Sequence, residues 1–101
     1  MTENLIKIIR SRKKSEIENS YTKKLISSGL DKCVDKLQEE FNELKEAFYH
    51  EKTNIVHETA DVIYHLLVSL EAADIKYEDV LKELKKRESM SGYEEKNTRN
   101  K

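Results

Sequence analysis

Between Asp31 and about His50 the apolar residues Val34, Leu37, Phe41, Leu44 and Phe48 recur at spacings of 3, 4, 3 and 4. That is the narrow stripe by which one helix packs on another. Ahead of it, Leu5, Ile6, Ile8 and Ile9 give segment 3–13 a helical pattern, and the polar run KSEIEN that follows has no period and reads as a loop. Ser20 can cap a short helix in SYTKKLISSG, and Gly29 suits the left-handed residue that ends one. Thr53 can cap the next helix, which should run to about Ala73. Asp74-Ile75-Lys76 then turns the chain into a last helix from about Tyr77 to Glu88. Residues 89–101 lack apolar periodicity and are expected to form a mobile tail behind one helical domain over 1–88. No internal repeat of solenoid length is present.

Composition agrees with an all-α reading. The 101 residues contain two Gly and no Pro, so the punctuation required by many strands and hairpins is missing. The length fits one modest core and leaves no room for a second catalytic domain. With 19 Lys+Arg against 20 Asp+Glu the formal net charge is −1, which argues against a protein that coats nucleic acid through bulk positive charge. Charge is uneven, however: Lys7, Arg10, Arg12, Lys13 and Lys14 face only Glu3 in the first fourteen residues. Cys33 is the single cysteine, so it forms no intramolecular disulfide and reads as a packing residue. Neither a signal-peptide core nor an 18-residue apolar stretch occurs, which leaves a cytoplasmic protein as the expectation and excludes a membrane role.

The most apolar run, HETADVIYHLLVSL, nevertheless carries Glu58 and Asp61 near its start. A buried carboxylate without a partner costs several kcal/mol or becomes neutral. On a helical wheel with Val34 at zero, the apolar stripe centres near about 310°, with Glu40 at about 240°, Lys36 at about 200°, Glu43 at about 180° and Glu39 farther round at about 140°. Glu40 and Glu43 thus flank the stripe as an i, i+3 pair. Glu58 and Asp61 repeat that spacing on the next helix, with His65 one turn on, and Val56, Ala60, Ile63, Leu67 and Leu70 run along the opposite side. If the two acid-bearing flanks face each other, four carboxylates converge, and a hard cation such as Mg²⁺, with Mn²⁺ as a substitute, is the compensating charge. Such sites commonly accept substrate phosphates. The number of ions stays open.

The words SYTKKLISSGLDKCVDKLQEEFNELKEA and HETADVIYHLLVSL resemble the phosphoribosyl-ATP pyrophosphohydrolase family, within the all-α NTP pyrophosphohydrolase superfamily. The resemblance extends from about Arg12 to Arg87. The superfamily pattern EExxE…ExxD stands here as Glu39, Glu40, Glu43 and Glu58, Asp61. SYTxKL at Ser20 to Leu25 and D-x-x-YH-x-LV at Asp61 to Val68 narrow it to this member. The resemblance implies a four-to-five-helix bundle completed by dimerisation. It implies Mg²⁺-dependent hydrolysis of phosphoribosyl-ATP to phosphoribosyl-AMP and pyrophosphate, the second step of histidine biosynthesis.

Carried onto this chain, the family's metal-ligand positions are Glu40, Glu43, Glu58 and Asp61. Glu39 matches its remaining acid, and with Glu40 and Glu43 makes up the expected catalytic group; the wheel offset of Glu39 suits a base or an outer partner of the attacking water. Arg12, Lys24 and Lys36 are candidates for holding the phosphates, with Ser20 and Thr22 offering hydroxyls. Arg12 and Lys24 read equally as solvated charges, and Lys36 equally as a cation holding Glu40 and Glu43 apart. His65 is placed with the substrate-binding residues, and could also hydrogen-bond a ligand carboxylate or serve as a structural histidine. Tyr64 reads as a core residue with a satisfied hydroxyl; His50 and His57 receive no role. Two departures from the family pattern, Gln38 where a glycine is frequent and no proline before SYT, leave the ligand set intact. The cyclohydrolase of the next step, fused to this domain in many relatives, is expected on a separate chain.

The apolar faces of the two long helices exceed the needs of one small bundle, so a homodimer is expected. Two other readings of the residues remain: an NTP or dNTP pyrophosphohydrolase of the same fold, and a non-catalytic helical module that docks through the basic amino-terminal patch.

Overall fold

The computed structural model describes residues 2–14, 21–50 and 54–88, and among them every regular element is helical. Five helices follow in order: α1 (Thr2–Lys14), α2 (Tyr21–Ser27), α3 (Leu30–His50), α4 (Ile55–Ala72) and α5 (Tyr77–Glu88). The capping roles expected of Ser20 and Thr53, and the expected tail at 89–101, lie outside the described residues.

Gly29 joins α2 to α3 in the conformation its lack of a Cβ permits, with φ +102°. The Ser28 amide donates to the Lys24 carbonyl at 3.0 Å and the Gly29 amide to the Ile26 carbonyl at 3.1 Å, closing α2. The Gly29 carbonyl then accepts from the Cys33 amide at 3.2 Å, the first bond of α3. Helix α4 ends in a Schellman turn: the Ile75 amide donates to the Leu70 carbonyl at 2.9 Å and the Asp74 amide to the Glu71 carbonyl at 3.1 Å. Asp74 takes the left-handed position, φ +58°, which Asp tolerates better than most residues.

Helices α3 and α4 form the main packed pair, and α1 and α2 lie across α4. Ile6 and Ile9 of α1 meet Cys33, Leu67 and Val68 in the buried core, with Leu25, Ile26, Tyr64 and Tyr77 packed around them. Arg10 and Lys13 fasten the outer side of α1. Arg10 reaches Glu78 at 2.8 Å and Glu71 at 3.4 Å, and Lys13 reaches Asp74 at 2.8 Å. These partners hold the Asp74 and Glu78 carboxyls below the usual carboxylate range, chiefly through the hydrogen bonds from Lys13 and Arg10 respectively.

The helix spans follow the apolar pattern closely, whereas the face α3 buries does not. Its buried residues are Cys33, Glu40 and Ala47, a line of heptad spacing about 70° round from the apolar stripe. Val34, Phe41 and Phe48 stay 47%, 53% and 53% exposed. On α4, likewise, Leu67 is buried, but Val56, Ala60 and Ile63 are exposed. The stripe expected to pack helix on helix therefore lies on the outside of the protomer. The acid-bearing flank faces inward instead, because a small residue at 33 and another at 47 let α4 approach on that side.

Candidate metal centre

Two acid pairs, one on each long helix, meet across the α3–α4 interface. Oxygens of Glu40, Glu43 and Glu58 lie within 4.8 Å of one another, and a second group of the same compactness joins Glu58 to Asp61 and His57. Glu58 belongs to both, so the four carboxylates expected from the i, i+3 spacings form one continuous cluster. Glu40 is the most enclosed of them, with 10% of its side chain exposed. The line Glu58, Asp61, His65, Val68 places acids at one end of the α4 face and hydrocarbon at the other, so the same stripe serves the site and then the core.

The two oxygens of Glu40 have different surroundings. Oε1 lies 3.8 Å from Lys36 Nζ and 3.8 Å from His65 Nε2. Oε2 is buried and has no hydrogen-bond partner, as is Oε2 of Glu58. Loss of hydration, then the neighbouring Glu43 carboxylate and Asp61, push the Glu40 pKa up against the pull of Lys36. Loss of hydration and the charge of Glu43 push Glu58 in the same direction. An all-oxygen set with two orphaned, inward-facing acceptors fits a hard divalent cation, which would satisfy both oxygens and offset their repulsion. Among the described residues His57 is the nitrogen ligand that joins the compact acid group: its Nε2 is 3.3 Å from Asp61 Oδ2. Its i, i+4 spacing from Asp61 was the sequence signal for this pairing, although the residue is largely exposed.

The remaining candidates divide by environment. Lys36 pairs with Glu39 at 3.1 Å, so it serves the acids of its own helix, and Glu39 is 64% exposed at the rim. Arg12 and Lys24 are exposed. Thr22 is buried and its hydroxyl is engaged with the Tyr64 hydroxyl, which gives it an internal partner in place of an open face toward phosphate. Tyr64 is thus the satisfied core tyrosine that its position suggested. Ser20 lies outside the described residues. His65 is buried, with the rings of Tyr21 and Tyr64 set edge to face against it at 6.1 and 5.1 Å. Burial pushes its imidazole pKa down, and the charge of Lys36 adds to that. It contacts an acid of the cluster and lies behind Tyr21, away from any open approach. His50 stands apart, 3.7 Å from Glu46 on the exposed side of α3.

The profile of a family described as phosphoribosyl-ATP pyrophosphohydrolase matches residues 2–88. The chain belongs to this family. It is similar to the phosphoribosyl-ATP pyrophosphatase of Allorhizobium ampelinum, 42% identical over 93 residues that cover 91% of this chain and 89% of that one. Similarity to the protein of the same name from Paracoccus denitrificans is 43% identity over 96 residues, 94% and 89% of the two chains. For the protein of that name from Cereibacter sphaeroides the figures are 40% over 95 residues, 93% and 92%. The family match contains both long helices and hence the whole acid cluster. Among the described residues no helix is long and apolar enough to cross a membrane.

Proposed function

We propose that this chain hydrolyses phosphoribosyl-ATP to phosphoribosyl-AMP and pyrophosphate in histidine biosynthesis, at the acid cluster between α3 and α4. What carries the reading is that the family match over residues 2–88 encloses Glu40, Glu43 and Glu58 already gathered to within 4.8 Å. Glu40, Glu43, Glu58 and Asp61 would hold Mg²⁺, or Mn²⁺ in its place. When bound, the cation neutralises charge on the phosphate oxygens and lowers the barrier to attack by water. Glu39, at the rim and outside the compact group, is placed to accept a proton from the attacking water. Lys36 pairs with it at 3.1 Å. Arg12 and Lys24 are free to meet the polyphosphate from solvent. No nucleophile from the protein is required: Cys33, the only thiol, is wholly buried and donates to the Leu25 carbonyl.

The protein acts as a homodimer. Support comes from the apolar residues left outside the protomer: Val34, Leu37, Phe41, Val62 and Leu66 line one groove along α3 and α4, and Phe41, Leu44, Phe48 and Tyr49 another. A second copy applied to this surface would bury the stripe that α3 leaves uncovered. The product phosphoribosyl-AMP would pass to a cyclohydrolase.

The docking-module alternative loses part of its basis, since Arg10 and Lys13 of the basic patch are spent on Glu78, Glu71 and Asp74. Turnover of phosphoribosyl-ATP, measured beside ATP and dUTP with Mg²⁺ present, tests the substrate. The expected result is pyrophosphate release from phosphoribosyl-ATP well above both others. Preference for ATP or dUTP would assign the chain to nucleotide-pool hydrolysis, and release from none would leave the interaction module.

A further inference from the structure

The buried histidine behind the site is not used by the reaction as described above. His65 is 5% exposed, walled by Tyr21 and Tyr64, and its Nδ1 is buried without a hydrogen-bond partner. Its other nitrogen, Nε2, lies 3.8 Å from Oε1 of Glu40. A carboxylate accepts only, so an imidazole in this position serves it by carrying its proton on Nε2. Lys36 Nζ approaches that same Oε1 from the other side, also at 3.8 Å. Both nitrogens thus lie on the Oε1 side of the carboxylate at ion-pair distance, and Oε2 is the buried oxygen left without a partner.

We infer that His65 is a positioning residue: its Nε2–H, 3.8 Å from Oε1 of Glu40, closes to a hydrogen bond when a divalent cation sits between α3 and α4, and so holds Oε2 toward that cation. Unlike Lys36, which is 39% exposed, His65 cannot swing into solvent. Its ring is locked by Tyr21 and Tyr64, while Tyr64 is in turn tied to Thr22. Thr22 and Tyr21 of α2 thereby support a ligand on α3 without touching the cation. A ligating carboxylate with a fixed outer hydrogen bond binds its metal more tightly because less orientational freedom is lost on binding.

The inference rests on the metal reading given above, and one experiment separates the two. Mn²⁺ affinity is measured by electron paramagnetic resonance titration on the full chain, with no substrate, for wild type, His65→Gln and His65→Asn. The glutamine amide nitrogen reaches the place of Nε2, whereas that of asparagine reaches only the place of Nδ1. The expected result is Mn²⁺ affinity within about threefold of wild type for His65→Gln and a loss of about ten- to a hundredfold for His65→Asn. Both variants place an uncharged amide in the same pocket, so a purely structural role for His65 affects them alike. Equal affinities of the two variants, whether both normal or both lost, would overturn the positioning role and leave the metal site standing. A wild-type chain that binds no Mn²⁺ would overturn the metal site itself.

Discussion

Glu40 shows why the sequence made this site visible and also what it concealed. Its identity and its spacing from Glu43 were readable, because an i, i+3 pair beside an apolar stripe must share a face. Its degree of burial was not, since that depends on Cys33 and Ala47 being small enough to admit α4, and neither residue carries a chemical signal. His65 was legible as part of the acid-bearing face, but not its direction, which Tyr21 of another helix and the adjacent Tyr64 set. Substituting Glu43→Gln or Asp61→Asn removes ligand charge and preserves volume. Each is expected to lower the rate of phosphoribosyl-ATP hydrolysis at least about a hundredfold, roughly 3 kcal/mol of transition-state stabilisation. Far-ultraviolet circular dichroism should show unchanged helix content. Wild-type turnover in either variant would remove that side chain from the ligand set.

The bounds of the five helices were legible because the signals that set them are local. Gly29 marks the break between α2 and α3, and Asp74 the turn after α4, through conformations that few residues adopt. No atom lies within 4 Å of a Cβ added at Gly29, so Gly29→Ala should suffer only the backbone penalty of its positive φ. About 1 kcal/mol is expected, a fall in melting temperature of about 4–8 °C, with activity retained. An unchanged melting temperature would mean that the turn relaxes freely. What joins the elements was less legible: nothing in the spacing of Arg10, Lys13, Asp74 and Glu78 reveals that they meet. Their ion pairs have a definite pH dependence. Asp74 and Glu78 have depressed folded-state pKa values, so their stabilisation is fully present above the ordinary carboxylate value of about 4 and is lost as pH falls through the folded values. Arg10→Ala should therefore melt below wild type at pH about 7, by no more than about 5 °C because the pairs are exposed. The gap should narrow as pH falls below the ordinary carboxylate range and Glu78 takes up its proton. A gap independent of pH would point to lost packing by the Arg10 stem instead.

At the scale of the whole molecule, the apolar stripe of α3 was readable but its partner was not, since a sequence pattern says that a face is covered without saying by what. Within one protomer α4 takes the neighbouring flank, and Val34, Phe41 and Phe48 are left about half exposed. The proposed homodimer would cover these residues, and Phe41→Lys should break it by setting a charge among them. Sedimentation velocity at micromolar concentration is expected to give a dimer for wild type and a folded monomer for the variant; a stable wild-type monomer would reject the assembly. The proposed divalent cation among Glu40, Glu43, Glu58 and Asp61 would hold the two long helices together at their acidic faces. Crystals grown with Mn²⁺ and measured at the manganese absorption edge test it most directly. An anomalous peak enclosed by those four carboxylates is the predicted result, and their side chains turned to bulk solvent with no peak among them would contradict it.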